Sequence, residues 1–216
     1  AVGRWGVAFA PGELPAHVLG QSLSLWRASG ALSLQSAGSQ LAVQALELDC
    51  WDAPVWDACA GFGGKSFALL EQGIDVTLCT DRSWSRLRHL PGVCRELHLP
   101  RPAVCLADAC APPLRGWNGH ILLDAPCSGL GVLARRPDIR KDSRRTPADL
   151  KQLAALQDRM LLRLSALLQQ GRELAYITCT LNPTENELAV ARLLAARSEL
   201  MLLRCLLYTS DAADEE

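Results

Sequence analysis

Two cysteines in this chain stand where a thiol can do chemistry. Ile121-Leu122-Leu123-Asp124-Ala125-Pro126-Cys127-Ser128-Gly129 puts an acid and a thiol just beyond a run of apolar residues. Tyr176-Ile177-Thr178-Cys179-Thr180 puts a second thiol at the end of another such run, shortly before the helix-start signal Asn182-Pro183-Thr184-Glu185. A thiol in such a place can have its pKa lowered and act as a nucleophile. The bland alternative is a pair of packing cysteines, because free Cys behaves as a small hydrophobe. Two thiols, each at the end of an apolar run, favour chemistry over packing.

Further upstream, Asp57-Ala58-Cys59-Ala60-Gly61-Phe62-Gly63-Gly64-Lys65-Ser66 reads as a glycine-rich turn opening a helix. Glycines there let a backbone approach a ligand closely. The turn is neither GxGxxG nor a P-loop, since Cys59 stands where the P-loop needs Gly. It points to a nucleotide-like ligand. Asp81 lies 17 residues past Gly64, where a carboxylate can hold ribose hydroxyls; its alternative is an exposed Asp capping a helix at Ser83. Asp108 follows a third apolar run, and its alternative is a turn carboxylate.

These residues need a scaffold that brings the ends of several strands together. Short apolar runs at Val55–Cys59, Val76–Cys79, Ala103–Leu106, His120–Leu123 and Leu174–Thr178 read as buried strands. Helical spacing fills residues 36–48, 65–72, 83–90, 147–170 and 184–197. The longest segment puts Leu150, Leu153, Met160, Leu164 and Leu167 on one face and opens with Thr146-Pro147, a cap followed by Pro at the first helical position. Asn182-Pro183-Thr184-Glu185 reads as a second start, with Glu185 placed as in a capping box. Apolar strands alternating with helices mean an α/β fold, a parallel sheet covered on both faces. Ligands of such sheets bind beyond the carboxyl ends of the strands, where the turn, the acids and the thiols all fall.

Composition permits this. The 216 residues are 49% hydrophobic and 21% charged, enough for a sizeable core and against disorder, collagen or coiled coil. No apolar stretch approaches the roughly 18 residues of a membrane span, and no secretory signal opens the chain, so a cytoplasmic protein with no membrane contact is expected. The nine cysteines are odd in number, irregularly spaced and without a CxxC pair, which argues against disulfides and a metal site.

In this order, DACAGFGGKS from Asp57, Asp81, Asp108, DAPCSGLG from Asp124, RRPDIR from Arg135 and YITCTLNPTENE from Tyr176 resemble the RNA cytosine-C5 methyltransferases that use S-adenosylmethionine. The bacterial 16S ribosomal-RNA members are the most similar. The resemblance covers roughly residues 31–200, including the lead-in LSLQSAGSQLAVQAL from Leu32, and the separate Pro-Cys and Thr-Cys motifs make it specific. The family usually has Ala-Pro where Gly61-Phe62 stands here. The resemblance implies a Rossmann-like class I methyltransferase fold. It also implies S-adenosyl-L-methionine bound by Cys59, Ala60, Gly61, Phe62, Gly63, Gly64, Lys65, Asp81, Asp108 and Asp124. Cys179 would add to cytosine C6 and Cys127 would assist release of the product. Asp124 would hold the base near N3 and its amine, and Lys65 would support proton handling or the cofactor. From the residues alone the two thiols could exchange roles; the Thr-Cys motif assigns attack to Cys179.

Arg135, Arg136, Arg140, Lys141, Arg144 and Arg145 stand against Asp138 and Asp142 directly after the Pro-Cys motif, a run suited to RNA phosphates. The expected organisation is an appendage or remnant of a preceding RNA-binding domain over 1–35 and a catalytic domain over 36–204, incomplete at its C-terminal side. Residues 205–216, CLLYTSDAADEE, match one translated frame of a sequencing-library adapter and are read as foreign. Without these twelve residues the net charge of −1 becomes 22 bases against 19 acids. The segment Glu199–Arg204 would begin a sixth strand. Two other classes remain: an inactive RNA-binding or assembly module on the same fold, and a nicotinamide oxidoreductase, which does not account for the paired thiols.

Overall fold

The computed structural model describes residues 16–18, 20–29, 37–46, 48–132 and 146–205. The chain forms two compact units, Ala1–Leu106 and Ala107–Glu216. In the first, a short antiparallel hairpin of β1 (His17–Val18) and β2 (Gln21–Ser22) leads into α1 (Leu23–Ala28) and α2 (Ala37–Gln44). Three parallel strands follow, in spatial order β5-β4-β3: β3 (Val55–Asp57), β4 (Val76–Asp81) and β5 (Ala103–Leu106). Between them run α3 (Gly64–Glu71), α4 (Trp84–Leu87) and α5 (Leu90–Glu96). Trp56, Leu69, Leu87, Leu90 and Cys79 are fully buried. The Trp56 indole donates to Thr80 Oγ1 (3.0 Å), which in turn donates to the Ala58 carbonyl (3.0 Å), so β3 and β4 are tied where β3 ends.

The second unit pairs β6 (His120–Asp124) in parallel with β7 (Leu174–Ile177), Asp124 lying opposite Ile177. The crossover is α6 (Pro147–Ser165), and α7 (Glu187–Ala196) follows β7. The first four residues of β6 are all buried, as expected for a strand covered on both faces. Thr146 caps α6: its hydroxyl accepts from the Asp149 amide while the Asp149 side chain accepts from the Thr146 amide, a complete capping box. Arg192 of α7 meets Asp158 of α6 through two 2.9 Å bonds and donates to the Thr184 carbonyl (2.9 Å), fastening α7 and its lead-in turn to α6.

Four expectations are corrected. The segment 83–90 is not one helix: α4 stops at Leu87 and α5 starts at Leu90, because Pro91 lacks an N–H and fits only a helix's first turn. The helix expected to 170 ends at Ser165, where Leu167 and Leu168 bond back three residues and Gly171 then takes φ 78°. The final helix begins at Glu187, and Asn182–Asn186 forms a polar turn rather than a capping box. Residues 200–205 form no strand, and Met201, Leu202 and Leu203 are exposed. Among the described residues no helix is long and apolar enough to cross a membrane, and no three His, Cys, Asp or Glu side chains gather as metal ligands do.

Candidate active site

In the first unit the chain leaves β3 at Asp57, a buried carboxylate that accepts from the Ser66 hydroxyl (2.6 Å) and the Cys59 amide (3.3 Å). Those bonds fold Cys59–Gly64 into a tight turn between strand and helix. The Ala60 amide donates to the Thr80 carbonyl and the Gly61 amide to Asp81 Oδ2, both at 2.9 Å. Gly61 has φ 55° and Gly63 φ 88°, a left-handed conformation open to glycine at little cost. A Cβ on Gly63 would lie 2.6 Å from the Phe67 ring, so any side chain there would have to displace that ring besides adopting a left-handed backbone. Phe62 is 65% exposed at the crest of the turn, and Lys65 is half-buried in the first turn of α3.

Asp81 ends β4 facing this turn. Its Oδ1 accepts from the Ser83 amide (2.7 Å) and Arg86 Nη2 (2.9 Å), so the local turn contact and the loop contact are both real. A carboxylate has about four lone-pair positions; three are used, which leaves one for a ligand hydroxyl. A glycine turn pinned to a buried acid fits the adenosyl ribose of S-adenosylmethionine in its donor and acceptor chemistry.

The thiols belong to the second unit. Past Asp124, half-buried at the end of β6, the Ala125 amide continues the pairing to the Ile177 carbonyl (2.9 Å). The two loops then run side by side, and Cys127 Sγ comes 2.7 Å from Cys179 Sγ. This is well beyond the ~2.05 Å of a disulfide, and neither cysteine is in a disulfide. The Cys179 amide donates to Cys127 Sγ (3.1 Å). The hydrogen bond to Cys179, and then burial, push the Cys127 thiol far above the ordinary thiol range. Cys179 is the more exposed of the pair.

Each loop is held on both sides of its cysteine. Gln157 Nε2, from α6, donates to the Pro126 carbonyl (2.9 Å), and the Ser128 amide donates to Glu185 Oε2 (2.9 Å). Asn186 accepts from the Thr178 hydroxyl (2.5 Å) and donates to the Thr180 carbonyl (2.8 Å). The Ser128 and Thr180 hydroxyls, one residue beyond each thiol, share a 2.7 Å bond. Asp57, Gln157, Glu185 and Asn186 are the residues that sequence reasoning missed. Gln157 was legible as a polar residue on the apolar face of α6, and Asp57 as the acid closing the first strand. The remaining calls fall differently. Asp108 accepts from the Cys110 amide (2.8 Å) in the turn after β5, as its turn alternative expects. Arg135, Arg136, Arg140, Lys141, Arg144 and Arg145 lie outside the described residues.

Parallel strands alternating with helices, a glycine turn bound to an acid on the next strand and two thiols at neighbouring strand ends define a Rossmann-like class I methyltransferase fold. NSun6 from Pyrococcus horikoshii, solved with the S-adenosylmethionine analogue SFG, superposes with a TM-score of 0.72 at 27% identity, over 90% of this chain and 48% of that one. The chain belongs to the family described as 16S rRNA methyltransferase RsmB/F, which matches residues 43–214. The probable ribosomal RNA small subunit methyltransferase B of Synechocystis is 36% identical over 77% of this chain and 38% of its own length. The ribosomal RNA small subunit methyltransferase B of Pseudomonas syringae is 38% identical over 79% of this chain and 38% of its own. The chain thus spans about two fifths of the length of these curated relatives.

Proposed function

We propose that this chain transfers a methyl group from S-adenosylmethionine to C5 of a cytosine in small-subunit ribosomal RNA, in the cytoplasm. The observation that carries the reading is the 2.7 Å approach of Cys127 and Cys179 at the ends of neighbouring strands, with Cys179 the more exposed of the two. Cytosine C5 is a poor nucleophile until a group adds to C6. Cys179, the more exposed of the pair, loses its thiol proton to solvent, adds to C6 as the thiolate and turns C5 into an enamine-like carbon. The cofactor supplies an electrophilic methyl group. Once C5 is methylated its hydrogen is lost as a proton, and the Cys179–C6 bond breaks with its electrons returning to sulfur. Cys127, within hydrogen-bond reach of that sulfur, assists the release. Asp124 accepts from the exocyclic amine of the base and shares a proton with N3, and that proton offsets the negative charge that sulfur addition puts on the ring. Asp81 binds the ribose of the cofactor beside Gly61, and the turn Cys59–Gly64, with Lys65, Asp108 and Asp124, completes its surroundings. The target base must leave its stack to expose C6.

The run Arg135–Arg145 is assigned to RNA phosphates, residues 36–204 to catalysis and 1–35 to an appendage. Incubation with methyl-labelled S-adenosylmethionine and undermodified 16S RNA tests the reading. Label recovered as 5-methylcytosine supports it. RNA and cofactor binding without transfer would overturn it in favour of an assembly module.

A further inference from the structure

We propose that Gln157 and Glu185 are positioning residues that set the register of Cys127 against Cys179; this rests on the methyl-transfer reading of the same site. Both side chains are 0% exposed. A buried carboxyl is costly unless every oxygen is bonded. Glu185 meets that condition with Oε2 accepting from the Ser128 amide and Gln157 Nε2, both at 2.9 Å, and Oε1 accepting from Asn182 Nδ2 (3.0 Å). Gln157 Nε2 also reaches the Pro126 carbonyl (2.9 Å). The carbonyl before Cys127 and the amide after it are thus closed into one ring with α6. Gln157 lies among Ala154, Met160, Leu161 and Leu164 on the buried face of α6, where a residue needed only for packing would be apolar.

The same turn reaches the other loop. The Tyr176 hydroxyl donates to the Glu185 carbonyl (2.6 Å), and Asn182 donates its amide to Thr180 Oγ1 (3.2 Å). Gly131 donates to the Cys179 carbonyl (3.1 Å), and a Cβ there would stand 3.2 Å from that oxygen, so the loops already touch as closely as backbone allows. Neither Gln157 nor Glu185 touches a thiol; they act through the residues on either side of Cys127.

The test compares Glu185→Ala and Gln157→Leu with Glu185→Gln, which keeps one acceptor oxygen for the Ser128 amide. Two readouts are taken. The first is the rate at which diamide, which takes two electrons and two protons from a thiol pair as it becomes a hydrazine, closes a Cys127–Cys179 disulfide. The second is kcat for methyl transfer beside the Kd for S-adenosylmethionine. We expect disulfide closure to slow about tenfold and kcat to fall on the order of 100-fold, the scale of a 1 Å misplacement. Kd should stay within about twofold, and Glu185→Gln should recover most of both losses. Closure and kcat unchanged in the folded Gln157→Leu protein would overturn the proposal, as would a Kd that weakens in step with kcat. If the unsubstituted protein transfers no methyl group yet closure slows in the variants, the methyl-transfer reading fails and the positioning role stands.

Discussion

At the scale of single residues, the two thiols are told apart by surroundings more than by position. Cys127 is half-buried and its thiol is raised by the hydrogen bond to Cys179 and then by burial, whereas Cys179 is exposed. Cys179→Ala should therefore abolish methyl transfer while the calorimetric affinity for S-adenosylmethionine stays nearly intact. Cys127→Ala should still form the bond to C6 but release it poorly, leaving an RNA–protein adduct on a denaturing gel. An adduct from Cys179→Ala and none from Cys127→Ala would exchange the roles. The thiols, Asp124 and Asp81 were legible in the sequence because each stands at the end of an apolar run. Glu185 was not. Its spacing from Asn182 imitates a capping box, and only the folded chain turns it inward to the Ser128 amide. A local pattern cannot reveal a bond across 57 residues.

At the scale of elements, apolar runs located all five parallel strands: β3 and β6 are buried as strands covered on both faces are, whereas β5, exposed at Ala103 and Leu106, and the half-buried β7 show the same apolar runs. Boundaries failed where proline and side-chain amides compete with helix starts. Leu90-Pro91 opens a new helix that was read as the end of an old one, and Asn182-Pro183 opens a turn that was read as a helix. The glycine turn gives the sharpest test at this scale. Gly63→Ala must place a Cβ at φ 88° and 2.6 Å from Phe67, while Gly64→Ala, one residue on, meets nothing within 4 Å. The first should destabilise the protein by about 2 kcal/mol, the range for backbone strain of this kind, and weaken S-adenosylmethionine binding. The second should be neutral or stabilising by up to about 1 kcal/mol, as expected of Gly to Ala in a helix. Denaturant unfolding of the two variants compares them directly, and equal losses would mean that the left-handed turn is not what holds the helix start.

At the scale of the whole molecule, one property runs through both units: burial raises the thiols of Cys79 and Cys94 in the first and of Cys110 in the second, and Cys127 and Tyr176 are raised with them. For Cys79, desolvation in β4 comes first and the neighbouring Asp57 charge second. The sign of the consequence follows from proton binding. Below the ordinary thiol pKa, near 9, the group is protonated in both folded and unfolded chains and stability does not depend on pH through it. Above that value the unfolded chain releases the proton while the folded chain retains it, so stability falls as pH rises. For Cys79, which is fully buried, the fall should be on the order of 1 kcal/mol per pH unit. Urea unfolding under a reductant at pH 7, 8.5 and 10 should show stability level over the first interval and declining over the second. Cys79→Ala should be less stable at pH 7, because it leaves a small cavity beside Ser66, yet lose less between pH 8.5 and 10. The comparison of slopes separates the thiol from lysine and tyrosine titration, which both proteins share. Parallel declines in the two proteins would show that the buried Cys79 thiol ionises as readily in the folded chain as in the unfolded one.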